Sequence, residues 1–317
     1  MKRARLIYNP TSGRELMKKN VAYILSRLEQ AGYETSTHAT TGAGDATTAA
    51  RLAVKREFDL VIAAGGDGTI NEVVNGLAEQ PYRPKLGILP MGTTNDFARA
   101  INMPKTIVKA CDVLCEGVEM PIDVGKSNDI GTENDKYFIN IAGGGKLTEL
   151  TYDVPSRLKT MLGQLAYYLK GIEMLPSLKP TNVRIEYDGR LFEGDIMLFL
   201  VANTNSVGGF EKLAPDASLN DGMFDMLILQ KTNLAEFIRL ASLALRGEHM
   251  KDPKVIYAQA NRIKIYTNEK LQLNIDGEYG GDLPGELVNL YQHLQLIVPR
   301  ETAEKQMLQK EKTELPS

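Results

Sequence analysis

Short apolar runs alternate with amphipathic segments along the first third of the chain. Leu6–Tyr8 precedes apolar residues at helical spacing over 21–28, and Phe58–Ala64 precedes a second helical pattern over 70–77. The run 85–90 is again apolar. Runs that are apolar throughout are typical of strands buried on both faces, so their alternation with helices predicts βαβ units around a parallel sheet. In such sheets, ligands bind at the carboxyl ends of the strands.

The pattern changes after Asp123, where short segments of alternating polarity dominate. These segments cover residues 183–187, 191–193, 195–202, 224–229, 262–267 and 271–275. Asp-Gly pairs at 188–189 and 276–277 are typical hairpin turns, so a mainly antiparallel β-sandwich is expected. Two amphipathic helices, Ser156–Leu175 and Asn233–Arg246, interrupt the strands.

The predicted organisation is an α/β domain over 1–123, a β-sandwich domain with helices over 124–300, and a tail over 301–317. The tail is charged and has no aromatic residue, which predicts disorder. A length of 317 residues exceeds what one hydrophobic core usually organises and agrees with two domains.

Charge and hydropathy exclude several classes of protein. The formal net charge of −3 provides no polybasic field for nucleic acid. The longest apolar run, Ile196–Ala202, is far below the roughly 20 residues that span a bilayer, and the N-terminus lacks a signal-peptide pattern. We therefore expect a cytoplasmic protein that is not integral to a membrane.

The loop Gly65–Thr69, with the sequence GGDGT, follows the buried strand and precedes a helix expected to begin at Ile70. Glycines let the backbone approach a phosphate, and the helix N-terminus attracts an anion. Asp67 would repel phosphate unless a divalent cation lay between them, which favours a Mg²⁺-nucleotide. The alternative, an ordinary strand-to-helix turn with Thr69 as N-cap, stays open for this loop alone.

Two further loops strengthen the nucleotide hypothesis. Asn9–Gly13 (NPTSG) ends the first strand and Met91–Phe97 (MGTTNDF) follows the fourth, so all three loops would share one edge of a parallel sheet. The spacing does not match a P-loop, and Asn71 stands where a dinucleotide fingerprint requires glycine or alanine.

Together, these three loops resemble the catalytic domain of the diacylglycerol kinase family, which includes sphingosine and ceramide kinases. The resemblance continues through Val201–Asn220 and Asp276–Glu278, covers about residues 1–300 and is greatest with the soluble bacterial, Gram-positive type. It implies a kinase that uses ATP and Mg²⁺ to phosphorylate the primary hydroxyl of diacylglycerol. The product would be phosphatidic acid, in the recycling of phospholipid and lipoteichoic-acid lipids.

The resemblance also implies site residues. The first domain would contact ATP through Asn9, Pro10, Thr11, Ser12, Gly13, Thr40, Gly66, Asp67, Gly68, Thr69, Ile70, Asn71, Glu72 and Thr93. Glu278 corresponds to the proton acceptor in the lipid-binding domain. Ser218, Asp221 and Met223 correspond to a structural Mg²⁺ loop, where serine and methionine would coordinate only through backbone carbonyls.

Three further carboxylates are catalytic candidates whose roles the sequence leaves open. Asp276 and Asp123 could each bind the catalytic metal or orient the base, and Asp276 could equally be a simple turn residue. Asp96 is expected to support the Gly92–Thr94 loop or a metal-water network rather than to transfer a proton.

The expected partners are diacylglycerol, the inner face of the cell membrane through reversible peripheral contact, and a second copy of the chain in a homodimer. The helix Ser156–Leu175 could be core or could dock to the membrane. Its flanking basic residues are Arg157, Lys159, Lys170 and Lys179.

Two alternatives to a lipid kinase remain. An NAD kinase-like or phosphofructokinase-like enzyme would share the GGDG loop, and a catalytically silent binding protein would share the fold. The Gly92–Asp96 segment and the apolar second domain favour the lipid branch over the other kinases, while intact Asp67 and Glu278 argue against a silent protein.

Overall fold

A computed structural model describes residues 1–13, 16–129, 135–145, 179–205 and 213–314. The chain forms two compact units. The first contains Met1–Val124, Ser218–Asp221 and Tyr291–Ser317, and the second contains Gly125–Ala217 and Gly222–Leu290. The predicted helix Ser156–Leu175 lies outside the described residues.

The elements follow in chain order. The strands are β1 (Lys2–Tyr8), β2 (Tyr33–Ala39), β3 (Leu60–Gly65), β4 (Lys85–Pro90), β5 (Val118–Asp129), β6 (Lys136–Phe138), β7 (Ile141–Gly144), β8 (Thr181–Tyr187), β9 (Arg190–Ala202), β10 (Phe224–Gln230), β11 (Val255–Ala260), β12 (Arg262–Tyr266), β13 (Gln272–Ile275), β14 (Glu278–Asp282) and β15 (Gly285–Val298). The helices are α1 (Leu16–Gln30), α2 (Asp45–Lys55), α3 (Asp67–Leu77), α4 (Asp96–Ala100), α5 (Ile107–Glu116), α6 (Leu234–Arg246) and α7 (Arg300–Glu314), with a 3-10 turn at His249–Lys251.

The first unit is built on a parallel sheet in the order β15-β4-β3-β1-β2, flanked in sequence by helices. All six residues of β3 are buried, as expected for a strand covered on both faces. The predicted α/β class is therefore confirmed for this unit.

The register of the parallel strands brings their carboxyl ends together. Tyr8 pairs with both Ala39 and Ala64, and Gly65 pairs with Pro90. The next residues extend these ladders: the Asn9 amide donates to the Ala64 carbonyl at 3.0 Å, and the Met91 amide donates to the Gly65 carbonyl at 2.8 Å. The loops after β1, β2, β3 and β4 consequently share one edge of the sheet.

The second unit is mainly antiparallel, with the strand order β14-β13-β7-β9-β8-β12-β15 and β10 pairing with both β9 and β11. Its core consists of aliphatic side chains around Phe138 and Phe224, whose rings stack with centroids 5.5 Å apart. The expected β-sandwich class is confirmed. Helix α6 begins after Asn233, which forms a reciprocal capping box with Glu236.

The prediction of a disordered tail is wrong over Arg300–Glu314, which forms α7. A few inward-facing residues anchor this otherwise charged helix. The Thr302 hydroxyl donates to the Ile101 carbonyl at 2.6 Å, and the side-chain oxygen Oε1 of Gln306 accepts from the Leu219 amide at 3.2 Å. These contacts are non-local, so composition alone could not reveal them.

The domain limits also differ from expectation. The first segment of the first unit ends at Val124, one residue beyond the predicted limit, and the second unit consists of two segments, Gly125–Ala217 and Gly222–Leu290, rather than one continuous segment over 124–300. Residues 291–300 belong to the first unit, since Leu296 of β15 pairs with Leu86 of β4. No helix among the described residues is long and apolar enough to cross a membrane.

Candidate active site

The glycine loop leads directly from β3 into α3. The helix begins at Asp67 with Gly66 as N-cap, so the predicted start at Ile70 is wrong, and so is the alternative in which Thr69 is the N-cap. Gly66 supplies no side-chain cap. The first-turn amides of a helix have no intrahelical acceptor, and together with the helix dipole they favour an anion such as phosphate. An ideal Cβ on Gly65 would lie 2.4 Å from the Thr69 hydroxyl oxygen, so glycine is required for this tight entry.

The loop after β4 packs against the glycine loop. A Cβ on Gly92 would lie 2.6 Å from the Gly66 Cα, so the two backbones touch where only glycine fits. The Thr94 hydroxyl donates to Asp67 Oδ2 at 3.2 Å. This contact places the Asp67 carboxylate between the two loops at the edge of the sheet.

Asn95 shapes the loop after β4, a role that the sequence motif alone did not reveal. Its Oδ1 accepts from the Gly92 amide at 2.7 Å, and its Nδ2 donates to the Gly92 carbonyl at 2.8 Å. Its φ of 50° lies in the left-handed region, which asparagine tolerates better than most residues. The sequence signal that could have indicated this role is an asparagine three residues after a loop glycine, since its side chain can bond to the glycine backbone.

We expect Gly92→Ala to raise the KM for ATP about tenfold, because overpacking of this kind costs about 1–3 kcal/mol. The added methyl must displace the Gly66 backbone or the Asn95 side chain. Gly42→Ala is the matched control, since a Cβ at that loop glycine meets nothing within 4 Å. Steady-state kinetics with varied ATP would test this, and equal KM values for the two variants would contradict a role for the contact between the loops.

The loop after β1 is a compact turn organised by Asn9. Asn9 Oδ1 accepts from the Thr11 amide at 3.0 Å and from the Thr11 hydroxyl at 2.8 Å, and the Ser12 amide donates to the Asn9 carbonyl at 3.2 Å. Gly13 has a φ of 61°, in the region that favours glycine. After β2, the Thr40 amide donates to the Tyr8 carbonyl at 2.9 Å, which brings the predicted contact Thr40 to the same edge.

Three predicted nucleotide contacts on α3 also have packing roles. Glu72 Oε2 accepts from the Ala46 amide at 3.0 Å and so caps α2, whose own N-cap Gly44 has no side chain. Asn71 is largely buried and its Oδ1 accepts from Asn75 Nδ2 at 3.1 Å. Ile70 as a whole residue is 1% exposed, so its side chain packs in the core of the first unit.

Asp96 and Asp123 are both engaged in the first unit. Asp96 opens α4 and forms an ion pair with Arg99, which agrees with a supporting role near the Gly92 loop. Asp123 is completely buried, and its Oδ1 accepts from the Gln292 amide at 2.7 Å. Its own amide donates to the Leu219 carbonyl at 2.7 Å, so Asp123 lies beside the Ser218–Asp221 segment.

The predicted Mg²⁺ loop has donors of the appropriate kind. Ser218 and Asp221 contribute a hydroxyl, a carboxylate and neighbouring carbonyls to the first unit, whereas Met223 belongs to the second. These are oxygen donors, the ligands that Mg²⁺ prefers. Gln306 of α7 fixes the segment, since its Oε1 lies 3.2 Å from both the Ser218 hydroxyl and the Leu219 amide. Within the described ranges, no three His, Cys, Asp or Glu side chains are grouped as a metal site.

Glu278 is the first residue of β14 and is exposed. It pairs with Ile275 across a two-residue turn made by Asp276 (φ 49°) and Gly277 (φ 93°). The Gly277 amide donates to Asn274 Oδ1 at 3.0 Å. This is the tight turn that the sequence predicted, and Glu278 is an exposed residue at its end.

Cys111, His249 and His38 carry side chains that could act as a nucleophile or a metal ligand, but each lies in structural surroundings. Burial raises the pKa of Cys111 to about 12, so this thiol stays protonated and unreactive at neutral pH. His249 is buried, its Nε2 lies 2.9 Å from the Leu213 carbonyl, and burial lowers its pKa. His38 pairs with Asp45 at 3.0 Å.

Comparison with known proteins agrees with this geometry. A family model described as "Diacylglycerol kinase catalytic domain" matches residues 3–127, and one described as "YegS C-terminal NAD kinase beta sandwich-like domain" matches residues 151–298.

The chain is also similar to individual relatives over nearly its whole length. It is 70% identical over 305 residues to a diacylglycerol kinase of Bacillus subtilis, and the match covers 96% of this chain and 99% of the relative. It is 54% identical over 308 residues to a diacylglycerol kinase of Staphylococcus epidermidis, covering 97% and 96% of the two chains. A crystal structure of a diacylglycerol kinase from Bacillus anthracis is similar with a TM-score of 0.78 at 29% identity. That similarity covers 94% of this chain and 97% of the other.

Proposed function

The chain belongs to the diacylglycerol kinase family, and from that premise we propose that it transfers the γ-phosphoryl group of ATP to the primary hydroxyl of diacylglycerol. The product is phosphatidic acid. The observation that carries this proposal is the 70% identity to a diacylglycerol kinase over 96% of the chain. The NAD kinase alternative is not favoured, because the full-length relatives described above are diacylglycerol kinases.

The phosphates of ATP are assigned to the N-terminus of α3. Its first-turn amides, with Gly66 as N-cap and no competing side-chain cap, are suited to phosphate oxygens. Asn9 and Thr40 at the ends of β1 and β2 share the same sheet edge and are assigned to the remainder of the nucleotide. Phosphoryl transfer depends mainly on positioning and charge stabilisation, and these hydrogen-bonded loops can supply both.

Mg²⁺, when bound, would neutralise charge on the phosphate oxygens as the phosphoryl group is transferred. Asp67 is the residue suited to hold an ion beside the nucleotide, since it lies between the two glycine loops in contact with Thr94. Ser218, Asp221 and Met223 are assigned to a second, structural ion.

Glu278 is assigned the proton of the attacking hydroxyl. A carboxylate within about 2.6–3.2 Å of a hydroxyl, directly or through one water, can act as general base. The exposed position of Glu278 at the start of β14 supports this assignment. Asp96 and Asp123 are assigned supporting roles rather than proton transfer, because the former pairs with Arg99 and the latter is fully buried.

A comparison of acceptors tests the proposed reaction. Purified protein with Mg²⁺ and ATP is given mixed micelles of diacylglycerol, ceramide or sphingosine, or soluble NAD, and ADP release is measured. We expect release to depend on diacylglycerol. Release that depends instead on NAD would move the chain to the NAD kinase-like reaction.

We also propose reversible contact with the membrane surface, because the hydroxyl of diacylglycerol lies at the bilayer interface. Of the basic residues considered above, Lys179 is exposed, whereas Arg157, Lys159 and Lys170 lie outside the described residues. A homodimer stays a prediction.

Electrostatic docking predicts that the rate on vesicles rises with anionic lipid content and falls with salt. Each basic residue near an anionic leaflet contributes about 1 kcal/mol to membrane binding, roughly fivefold in affinity. Salt weakens this attraction, because the Debye length shortens from about 10 Å at 0.1 M to about 3 Å at 1 M. The rate is measured on neutral and anionic vesicles with matched diacylglycerol. Equal rates on both would argue against electrostatic docking.

A further inference from the structure

The segment Ile139–Ile141, just before and at the start of β7, is held by a single carboxylate. Asp276 Oδ2 accepts from the Ile139 amide at 3.0 Å, and Oδ1 accepts from the Asn140 and Ile141 amides at 3.0 and 2.9 Å. The Asp276 amide in turn donates to the Ile141 carbonyl at 2.8 Å. Three consecutive amides on one carboxylate join the β13–β14 turn to β7.

The same segment is fixed from the side of β9. The Asn203 amide donates to the Asn140 carbonyl at 2.9 Å, and Asn203 Nδ2 donates to the Ile139 carbonyl at 3.1 Å. The Thr204 hydroxyl donates to Asn140 Oδ1. Asn140, Asn203 and Thr204 are 6%, 0% and 1% exposed, so they form a buried polar network whose hydrogen bonds are strengthened by the low local dielectric.

The network ends at the turn that carries Glu278. Asp276 is the first turn residue, and Glu278 follows it by two positions at the start of β14. With its φ of 49°, the Asp276 backbone is held in a conformation that few residues adopt unaided. Loss of the carboxylate contacts would therefore free the turn and displace the Glu278 carboxylate.

We propose that Asp276 is a positioning residue for phosphoryl transfer, which ties the Glu278 turn to the Asn140–Asn203–Thr204 network instead of binding the catalytic metal. The inference rests on the proposed function, in which Glu278 accepts the proton. A misplacement of about 1 Å in a reacting group can cost about 10²-fold in rate. Asp276 thus acts on the reaction through the geometry of Glu278 alone.

The chain contains a matched control for this turn. Asp188 and Gly189 form an equivalent Asp-Gly turn between β8 and β9, with φ values of 45° and 79°. The Asp188 carboxylate likewise accepts two backbone amides, from Asn261 at 2.7 Å and from Arg262 at 3.0 Å. Asparagine tolerates positive φ at both sites, but its side-chain NH₂ group cannot accept a hydrogen bond from a backbone amide. Each substitution therefore removes at least one of the hydrogen bonds that the aspartate accepts, so the two local perturbations are of the same kind.

The test compares Asp276→Asn with Asp188→Asn and combines the former with Glu278→Gln. We expect Asp276→Asn to lower kcat about 10²-fold, with the KM for ATP and the Mg²⁺ requirement unchanged, and Asp188→Asn to keep kcat. In the Glu278→Gln background, Asp276→Asn should cause no further loss of kcat, because residues that act as one unit are non-additive. Melting temperatures of all variants correct each rate for folded protein.

Three results would overturn the inference while leaving the proposed function intact. An equal effect of Asp276→Asn and Asp188→Asn on kcat would make Asp276 an ordinary turn residue. An additive loss in the double variant would show that Asp276 acts independently of Glu278. A raised Mg²⁺ requirement in Asp276→Asn would indicate a direct role at the metal. A Glu278→Gln variant with native kcat would instead remove the proposed base, and the positioning role with it.

Discussion

Replacement of Glu278 by glutamine is expected to lower kcat by about 10²–10⁴-fold, the usual contribution of a positioned general base. Glutamine keeps the size and hydrogen bonding of the side chain but cannot accept the proton of the attacking hydroxyl. The affinity for ATP should change little, because the loops assigned to ATP belong to the first unit and Glu278 to the second. The melting temperature should also be preserved, since Glu278 is exposed at the start of β14.

The competing explanation makes Glu278 a turn residue whose charge stabilises the Asp276–Gly277 hairpin. In that case the glutamine variant would lose stability and keep its rate per folded molecule. Asp282→Asn provides the control, because it removes a second exposed carboxylate from the same strand. Measurement of kcat, ATP affinity and melting temperature on one preparation separates the explanations, and a native kcat would end the general-base assignment.

The second large effect is expected for Asp67→Asn, which should reduce turnover by about 10²–10³-fold, the range seen when one electrostatic contact to a developing charge is lost. The substitution removes a negative charge assigned to Mg²⁺ and leaves the size of the side chain unchanged. Some loss of stability, about 0.3–1 kcal/mol, is also expected because an acidic residue in the first turn of α3 interacts favourably with the helix dipole.

Asp45→Asn separates these two consequences. Asp45 is the corresponding first-turn acid of α2, and its pKa is lowered by hydrogen bonds from the Thr41 amide and hydroxyl. The control variant should lose stability and keep its kcat. Rates measured over a range of Mg²⁺ concentrations test whether the Asp67 carboxylate holds Mg²⁺. Near-native activity of Asp67→Asn with an unaltered Mg²⁺ dependence would exclude that residue from the mechanism.

The sequence predicted the sheet and its functional edge because those features depend on local patterns. The all-apolar run of β3 and the glycines after it identify a buried parallel strand that ends in a loop. Parallel strands place such loops at one edge whatever the rest of the chain does. The grouping of Asn9, Asp67 and Met91 at that edge therefore follows from the sequence pattern alone.

Features that depend on distant contacts were missed. The sequence pattern predicts that α3 begins at Ile70, after the glycine loop, whereas in the structure Gly68 lies within the first turn of the helix. Helix α7 owes its place to Thr302 and Gln306, whose partners Ile101 and Leu219 are far away in sequence. The sequence leaves the role of Asp276 open between a metal ligand, a residue that orients the base and a simple turn residue, because its three amide contacts come from residues 135 to 137 positions earlier.

The central claim is that this chain phosphorylates diacylglycerol with ATP. The most direct test is to incubate the purified protein with γ-phosphate-labelled ATP, Mg²⁺ and diacylglycerol in mixed micelles, and to identify the labelled product. The proposed function predicts label in phosphatidic acid, on the primary hydroxyl, in equal amount to the ADP formed. Label found only as inorganic phosphate, or in a nucleotide when NAD is supplied, would contradict it.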